Sequence, residues 1–294
     1  MNHFSIKDIE NLTGIKSHTL RIWEQRYGIP SPKRTETNIR YYDDEDLKLL
    51  LNVSMLNKQG HKISQLTSLS KAELESMALT YSEDVEDAGI QLDSMLAAMF
   101  NLDENAFEKI LSSHVLKFGL EYTMAHLFFP FLKRIGVLWQ TGQVNPAFEH
   151  FMSNLIRQKL IVAIDAQVHT VKPESKKFVL FLPEGEMHEI GLLFANFVLR
   201  ARGHQTIYLG QNLPYTDLDS IIGQYNANYV MTVLTSIPLK SGIQDLINNL
   251  ATRYPEQTML LTGMQVANQI SLKLPANVKV LNTIEDLTIL AESN

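Results

Sequence analysis

The chain of 294 residues has no cysteine. That excludes disulfides, thiolate metal sites and thiol nucleophiles, and it suits a reducing compartment, the cytoplasm. No long apolar run is present either. The most apolar stretch, Met124 to Trp139, is broken by Pro130 and by Lys133-Arg134, so it is too short and too charged to span a bilayer. No basic segment followed by an apolar one opens the chain, so no signal peptide is expected. An excess of positive charge is missing as well. The net charge is −6, which as an average argues against a nucleic-acid partner. Paired catalytic carboxylates, a Ser-His-Asp arrangement and a phosphate-cradling glycine loop are also absent, so an enzyme is not expected.

What is present is unevenly placed. Residues 1–42 carry Lys7, Lys16, Arg21, Arg26, Lys33, Arg34 and Arg40 against Asp8, Glu10, Glu24 and Glu36. This head has net charge +3, which leaves −9 for the remainder. A basic head on an acidic body is expected when one domain alone meets phosphate. The length suits two or three domains, and a hydrophobic fraction of 45% can supply their cores.

Three regions separate. Residues 1–75 hold short helical patterns punctuated by Gly14, Gly28, Pro30, Pro32 and Gly60. Ser5 starts a first helix, Gly14-Ile15-Lys16 is a turn, and Ser17 is expected to cap a second helix over Thr19–Tyr27. Two short helices on a tight glycine turn form a helix-turn-helix. Ile22 and Trp23 are expected in its core. The β-prone run Asn38 to Tyr42 suits a small hairpin or wing over 33–42. Residues 76–170 place apolar side chains at helical spacing, as in Leu92/Met95/Leu96/Met99 and Phe107/Ile110/Leu111, which predicts a four-helix-type bundle. A polar linker over 170–177 follows. Over 178–294, apolar strands alternate with helices: strands at 178–182, 206–209, 229–234, 258–261 and 278–281, and helices at 188–202, 215–225, 243–254 and 284–291. This predicts a Rossmann-like (flavodoxin-like) parallel sheet covered on both faces, with ligands beyond the strands' C-terminal ends. The fold class is therefore multidomain, α and α/β.

The run Thr19-Leu20-Arg21-Ile22-Trp23-Glu24-Gln25-Arg26-Tyr27-Gly28-Ile29, then Pro32, Arg34 and Ile39-Arg40-Tyr41-Tyr42, resembles the winged helix-turn-helix of the MerR family. The resemblance implies that the second helix enters the major groove of double-stranded DNA while the wing grips phosphate. Ser17, His18, Thr19 and Arg21 would lie near the groove, with the choice between Ser17 and His18 as the base contact left open. Tyr27, Arg34, Arg40 and Tyr41 would meet the backbone or the groove edge. Tyr42 suits wing core and DNA contact equally. Arginine supplies forked donors for phosphate or guanine, and tyrosine hydroxyls reach phosphate.

Two further runs carry ligand chemistry. In Trp139-(nine residues)-Glu149-His150, a large aromatic precedes a carboxylate and an imidazole. In Glu186-x-His188-x-x-Gly191, a histidine follows an apolar strand with a carboxylate two residues before it. The second run is followed about forty residues on by Thr232-Val233-Leu234, and twenty-eight residues after that by Gly263-Met264. Together they resemble B12-binding proteins, whose pattern is Asp-x-His-x-x-Gly, Ser-x-Leu and Gly-Gly at such spacings. Here Glu186 replaces Asp, Thr232 replaces Ser, and Met264 replaces the second Gly.

The resemblance implies cobalamin with His188 as lower axial ligand of cobalt, Glu186 fixing its tautomer, and Gly191, Thr232, Leu234 and Gly263 around the buried nucleotide tail. Cobalt accepts imidazole well, and such a ligand needs an acceptor on its other nitrogen. The tryptophan motif resembles that of the CarH-like light-dependent repressors within the MerR family. That implies adenosylcobalamin, with Trp139 over the upper corrin face and Glu149 and His150 near the adenosyl group. In that group a histidine follows the tryptophan; here the position is Gln140, and an amide is a poor cobalt ligand.

The function implied is a cobalamin-controlled transcriptional repressor, dimeric or tetrameric and light-responsive. The alternatives are a regulator with a cofactor-free B12-like fold controlled by a protein antagonist, and a corrinoid methyl-carrier protein, for which the 75-residue head has no use.

Overall fold

Helices α1 and α3 of the head begin where the sequence supplies a cap. Ser5 and Asp8 form a reciprocal capping box at the start of α1 (Ile6–Thr13). Gly14, in the left-handed region at φ 74°, ends it. Helix α2 (Ser17–Tyr27) follows and also ends on a left-handed glycine, Gly28. Ser17 is the first residue of α2 and not its cap; the N-cap is Lys16. The reason is local. Both the amide and the hydroxyl of Ser17 donate to the Glu10 carboxylate, at 3.0 and 2.6 Å, so its side chain is turned toward α1. The wing strands β1 (Lys33–Arg34) and β2 (Arg40–Tyr41) pair antiparallel. Asp43 and Asp46 form a second capping box at the head of α3 (Asp44–Lys58).

In a computed structural model, the structure describes residues 3–35, 37–84, 88–140, 144–168, 172–235, 242–267 and 271–293, with the side chains of 79–88 and of Gln140 outside the described set. Two compact units divide the chain, Met1–Leu155 and Ile156–Asn294.

The first unit holds the head together with α4 (Ile63–Leu66), α5 (Lys71–Asp84), α6 (Ala88–Asn101), α7 (Glu104–Thr123), a π-helical turn (Met124–Phe128) and α8 (Phe129–Gln140), and the start of α9 (Pro146–Asp165). Helix α6 is buried on nearly all sides, and Met95, Leu96, Met99, Phe107, Ile110 and Phe131 are core. The expected 3.6-residue periodicity thus marks a central helix rather than a surface one. Gly119, at φ 81°, kinks α7.

The second unit contains a five-stranded sheet of β3 (Lys177–Pro183), β4 (Gln205–Leu213), β5 (Tyr229–Val233), β6 (Thr258–Thr262) and β7 (Val278–Val280). All pairs are parallel, in the order β4-β3-β5-β6-β7. Helices α10 (Ile190–Ala201), α11 (Leu218–Tyr225), α12 (Ile243–Arg253), α13 (Met264–Ala267) and α14 (Ile284–Glu292) connect and cover the strands. Leu218, Ile222, Leu246, Ile247 and Leu250 pack on Val179, Phe181, Val230, Leu234 and Leu261. The order reverses direction at β3, so the crevice at the C-terminal ends of β3 and β5 is the topological switch point where such sheets take ligands. Residues 184–189 leave β3 at that crevice. The predicted helix over 188–202 begins at Ile190, because Glu186 to Glu189 are committed to the loop described next.

Candidate functional site

At the switch point one buried carboxylate organises the loop. Glu186 has no exposed surface. Its Oε1 accepts the amides of Met187 and His188, each at 3.0 Å, and faces His188 Nδ1 at 2.6 Å. Its Oε2 accepts the Thr235 amide from the end of β5 at 2.8 Å. A carboxylate so placed fixes the proton on Nδ1 and leaves the lone pair on Nε2. The imidazole is 54% exposed. The longer glutamate side chain therefore reaches the ring directly. Strand β4 holds the same loop from the other side. Asn212 Oδ1 accepts the Gly185 amide at 2.9 Å, and Gln211 donates to the Met187 carbonyl.

Beside His188, Glu189 is buried and accepts from the Tyr208 hydroxyl at 2.7 Å and from Arg157 of α9. Burial first, and then the bond to Glu189, push the Tyr208 phenol far above its usual range, so it stays a donor. Spacing gave no sign of Gln211, Asn212, Tyr208 or Arg157. The signal within reach was the polar run Gly210-Gln211-Asn212 ending an otherwise apolar strand.

Thr232 is 1% exposed, and its hydroxyl finds no hydrogen-bond partner among the described residues. A buried hydroxyl left without a partner costs about 1–3 kcal/mol. Leu234 is fully buried in the sheet core. Gly191 lets the first turn of α10 approach β5, since a Cβ there would sit 3.3 Å from Val233 Cγ1. Gly263 stands at φ 107°, and a Cβ would overlap the Leu234 carbonyl. Gly263→Ala is therefore expected to cost at least about 2 kcal/mol. Thermal denaturation checks this, and a wild-type midpoint would show that the β5 and β6 ends separate freely. Met264 is exposed.

In the first unit, Trp139 lies at the end of α8 and is 52% exposed, unusual for so large an apolar ring. Glu149 is in the first turn of α9, with its Oε2 3.1 Å from Nδ1 of the exposed His150. The Gln140 side chain lies outside the described residues.

The head presents one solvent face of α2, made of His18, Arg21, Ile22 and Gln25, spaced as a helix stripe. Trp23 and Leu20 are core. Ile22 is not, being 45% exposed; it stands one turn after His18, on the face opposite the core. On a helix that enters a major groove, an exposed apolar residue can contact a thymine methyl. The Ser17 carboxylate partner, Glu10, is held at about 2, chiefly by the hydroxyl and amide bonds from Ser17. Thr19 Oγ1 faces His18 Nε2 at 3.3 Å, and Tyr27 is half-buried. In the wing, Arg34 closes the turn onto Asn38, at 2.8 Å to its Oδ1. Arg40 lies 3.6 Å from Glu24 of α2. Tyr41 packs against His3 with the rings tilted at 32°, and Tyr42 is core.

Comparison with known proteins agrees with both halves. Residues 4–73 match the MerR HTH family regulatory protein, and residues 91–163, the helices α6 to α9, match the B12 binding domain. The chain carries a MerR-type helix-turn-helix domain and a B12-binding domain. It is homologous to two repressors of Myxococcus xanthus. The HTH-type transcriptional repressor CarH is 26% identical over 88% of this chain and 88% of that protein. The HTH-type transcriptional repressor CarA is 27% identical over 76% of this chain and 74% of that protein. Among solved structures, the monomethylamine corrinoid protein of Methanosarcina barkeri is similar at 16% identity and TM-score 0.43, covering 76% of this chain and 98% of that one. That likeness is too low to bear on function. The homology supports a DNA-binding transcriptional regulator under B12 control. Among the described residues no helix is long and apolar enough to cross a membrane.

Proposed function

We propose that the chain is a cytoplasmic repressor whose grip on a DNA operator is set by adenosylcobalamin and released by light. The observation that carries the cofactor reading is the Glu186–His188 couple: a fully buried carboxylate 2.6 Å from Nδ1 of a ring exposed at the switch point. His188 would hold cobalt through Nε2. Thr232 offers its unpartnered hydroxyl to the nucleotide tail, beside Gly191, Leu234 and Gly263. On the family resemblance, Trp139, Glu149 and His150 take the upper face. Bound adenosylcobalamin would supply a cobalt–carbon bond that light breaks. Gln140 offers only an amide oxygen, a hard and weak donor to cobalt. The head reads DNA as a dimer or higher assembly, since symmetric half-sites match two-fold proteins.

The test is gel-shift titration on the chain's own promoter region, with absorption spectra, in darkness and after green light. DNA retained in the dark with adenosylcobalamin and released on illumination is the expected result. Failure to bind cobalamin would overturn the reading in favour of a cofactor-free regulator. Binding without any change in DNA affinity would overturn control by the cofactor. Gln140→His is expected to make the illuminated protein retain cobalamin longer on size-exclusion chromatography. Equal retention would remove the role given to position 140.

A further inference from the structure

The head does not hang free of the B12-binding helices. Arg134 of α8 forks between the two. Its Nη1 donates to Asp93 Oδ1 of α6 at 3.0 Å, and its Nη2 donates to the carbonyl of Leu12, in the last turn of α1. Asp93 is almost wholly buried, and its Oδ2 also takes Lys58 Nζ, in the last turn of α3, at 2.7 Å. One buried carboxylate thus holds the C-terminal ends of α1 and α3 through two cations. The C-terminal carbonyls of a helix lack intrahelical partners and attract cations. Here the next carbonyl, of Thr13, takes the Ser54 hydroxyl at 2.8 Å. The end of α1 is therefore fixed just before Gly14, and Glu10 pins Ser17 of the groove-reading helix on the far side of the turn. A second path is apolar. Phe4 meets Phe100 of α6 edge-on at 6.3 Å, and Phe100 meets Phe148 of α9 at 5.5 Å.

Both paths end beside residues assigned to the cofactor. Trp139 lies five residues after Arg134 on the same helix, and Glu149 is the neighbour of Phe148. We propose that Arg134 is the joint through which α8 sets the position of α1 and α2, and hence the affinity for DNA. It is a positioning residue, and its role in regulation rests on the reading given under Proposed function. Arginine is needed because its planar fork serves two acceptors at once; lysine is a point donor that can keep Asp93 neutralised but cannot bridge to Leu12. The buried Asp93 would be left with one partner in Arg134→Met, which risks the fold. Arg134→Lys avoids that.

The experiment uses the full chain, wild type and Arg134→Lys, with two readouts. The first is the ratio of operator affinities with and without adenosylcobalamin in the dark. Allosteric ratios usually run from about 5- to 150-fold. The variant is expected to fall below about twofold, a small fraction of that range, with adenosylcobalamin still titrating spectrally. The second is hydrogen exchange of the α1 amides in the cofactor-free chain, expected to quicken in the variant. A retained ratio in the variant overturns transmission through Arg134. Unchanged α1 exchange overturns the joint itself. If the wild type shows no cofactor effect while α1 exchange still quickens in the variant, the functional reading fails and the physical joint stands.

Discussion

Replacing His188 by alanine is expected to abolish the base-off, histidine-on absorption spectrum and most of the affinity for cobalamin. The ring is more than half exposed, and its removal opens no core. Three backbone amides still hold the buried Glu186 carboxylate, so stability should fall by no more than one hydrogen bond, about 0.5–1.5 kcal/mol. Glu186→Gln should behave oppositely. The carboxylate accepts three donors on Oε1 and a fourth, the Thr235 amide, on Oε2. An amide keeps one acceptor and turns a donor on the rest. That leaves a buried N–H facing another, at a cost of about 1–3 kcal/mol in stability. The imidazole remains present but loosely oriented, and cobalamin affinity should drop about 10–100-fold, as for other outer partners of metal-bound histidine. Spectral titration and thermal melts on both variants decide the matter. Wild-type spectrum and affinity in His188→Ala would remove the site, whatever Glu186→Gln does.

The pair of variants also shows what could be read from the chain. Most strands were legible because their centres are apolar, as in a doubly covered parallel strand, although β4 runs on into Gly210-Gln211-Asn212 and β7 carries Lys279. Glu186, His188 and Gly263 stood out because each follows a strand, and Thr232 because it lies just inside the end of β5. What spacing could not give is partnership between distant segments. Arg134 and Leu12 are 122 residues apart, and nothing in either neighbourhood marks the other. The same holds for Arg157 with Glu189 and for Asn212 with the Gly185 amide. Ser17 misled for a related reason. A serine before a helix is a good cap in isolation, yet a carboxylate seven residues earlier took its hydroxyl. Ile22 misled because an apolar residue beside Trp23 is normally core, and only its position on the helix stripe reveals that it faces outward.

That stripe carries the other large expected effect. Arg21→Ala should weaken operator binding by about 1–3 kcal/mol, or roughly 5- to 150-fold, if its fork reads a guanine edge. Arg40→Ala should act differently. Arg40 sits on the wing and shares a carboxylate, Glu24, with α2 at 3.6 Å. If it meets phosphate, its loss should weaken all sequences alike and flatten the dependence of log affinity on log salt by about one unit. Ile22→Ala should be felt only at a base pair whose thymine methyl it touches, with little change in the salt slope. Point variants are the right tool. Cutting away residues 1–75 would strip Lys58 and the Leu12 carbonyl from the buried Asp93–Arg134 pair and expose Phe100. A loss of binding by that truncated chain would therefore mix recognition with unfolding. Gel shifts across a salt series, on the operator and on a scrambled duplex, separate the three variants. If Arg21→Ala loses affinity equally on both duplexes with a flattened slope, Arg21 is a phosphate contact. The reading of sequence must then come from His18, Ile22 and Gln25 on the same exposed face.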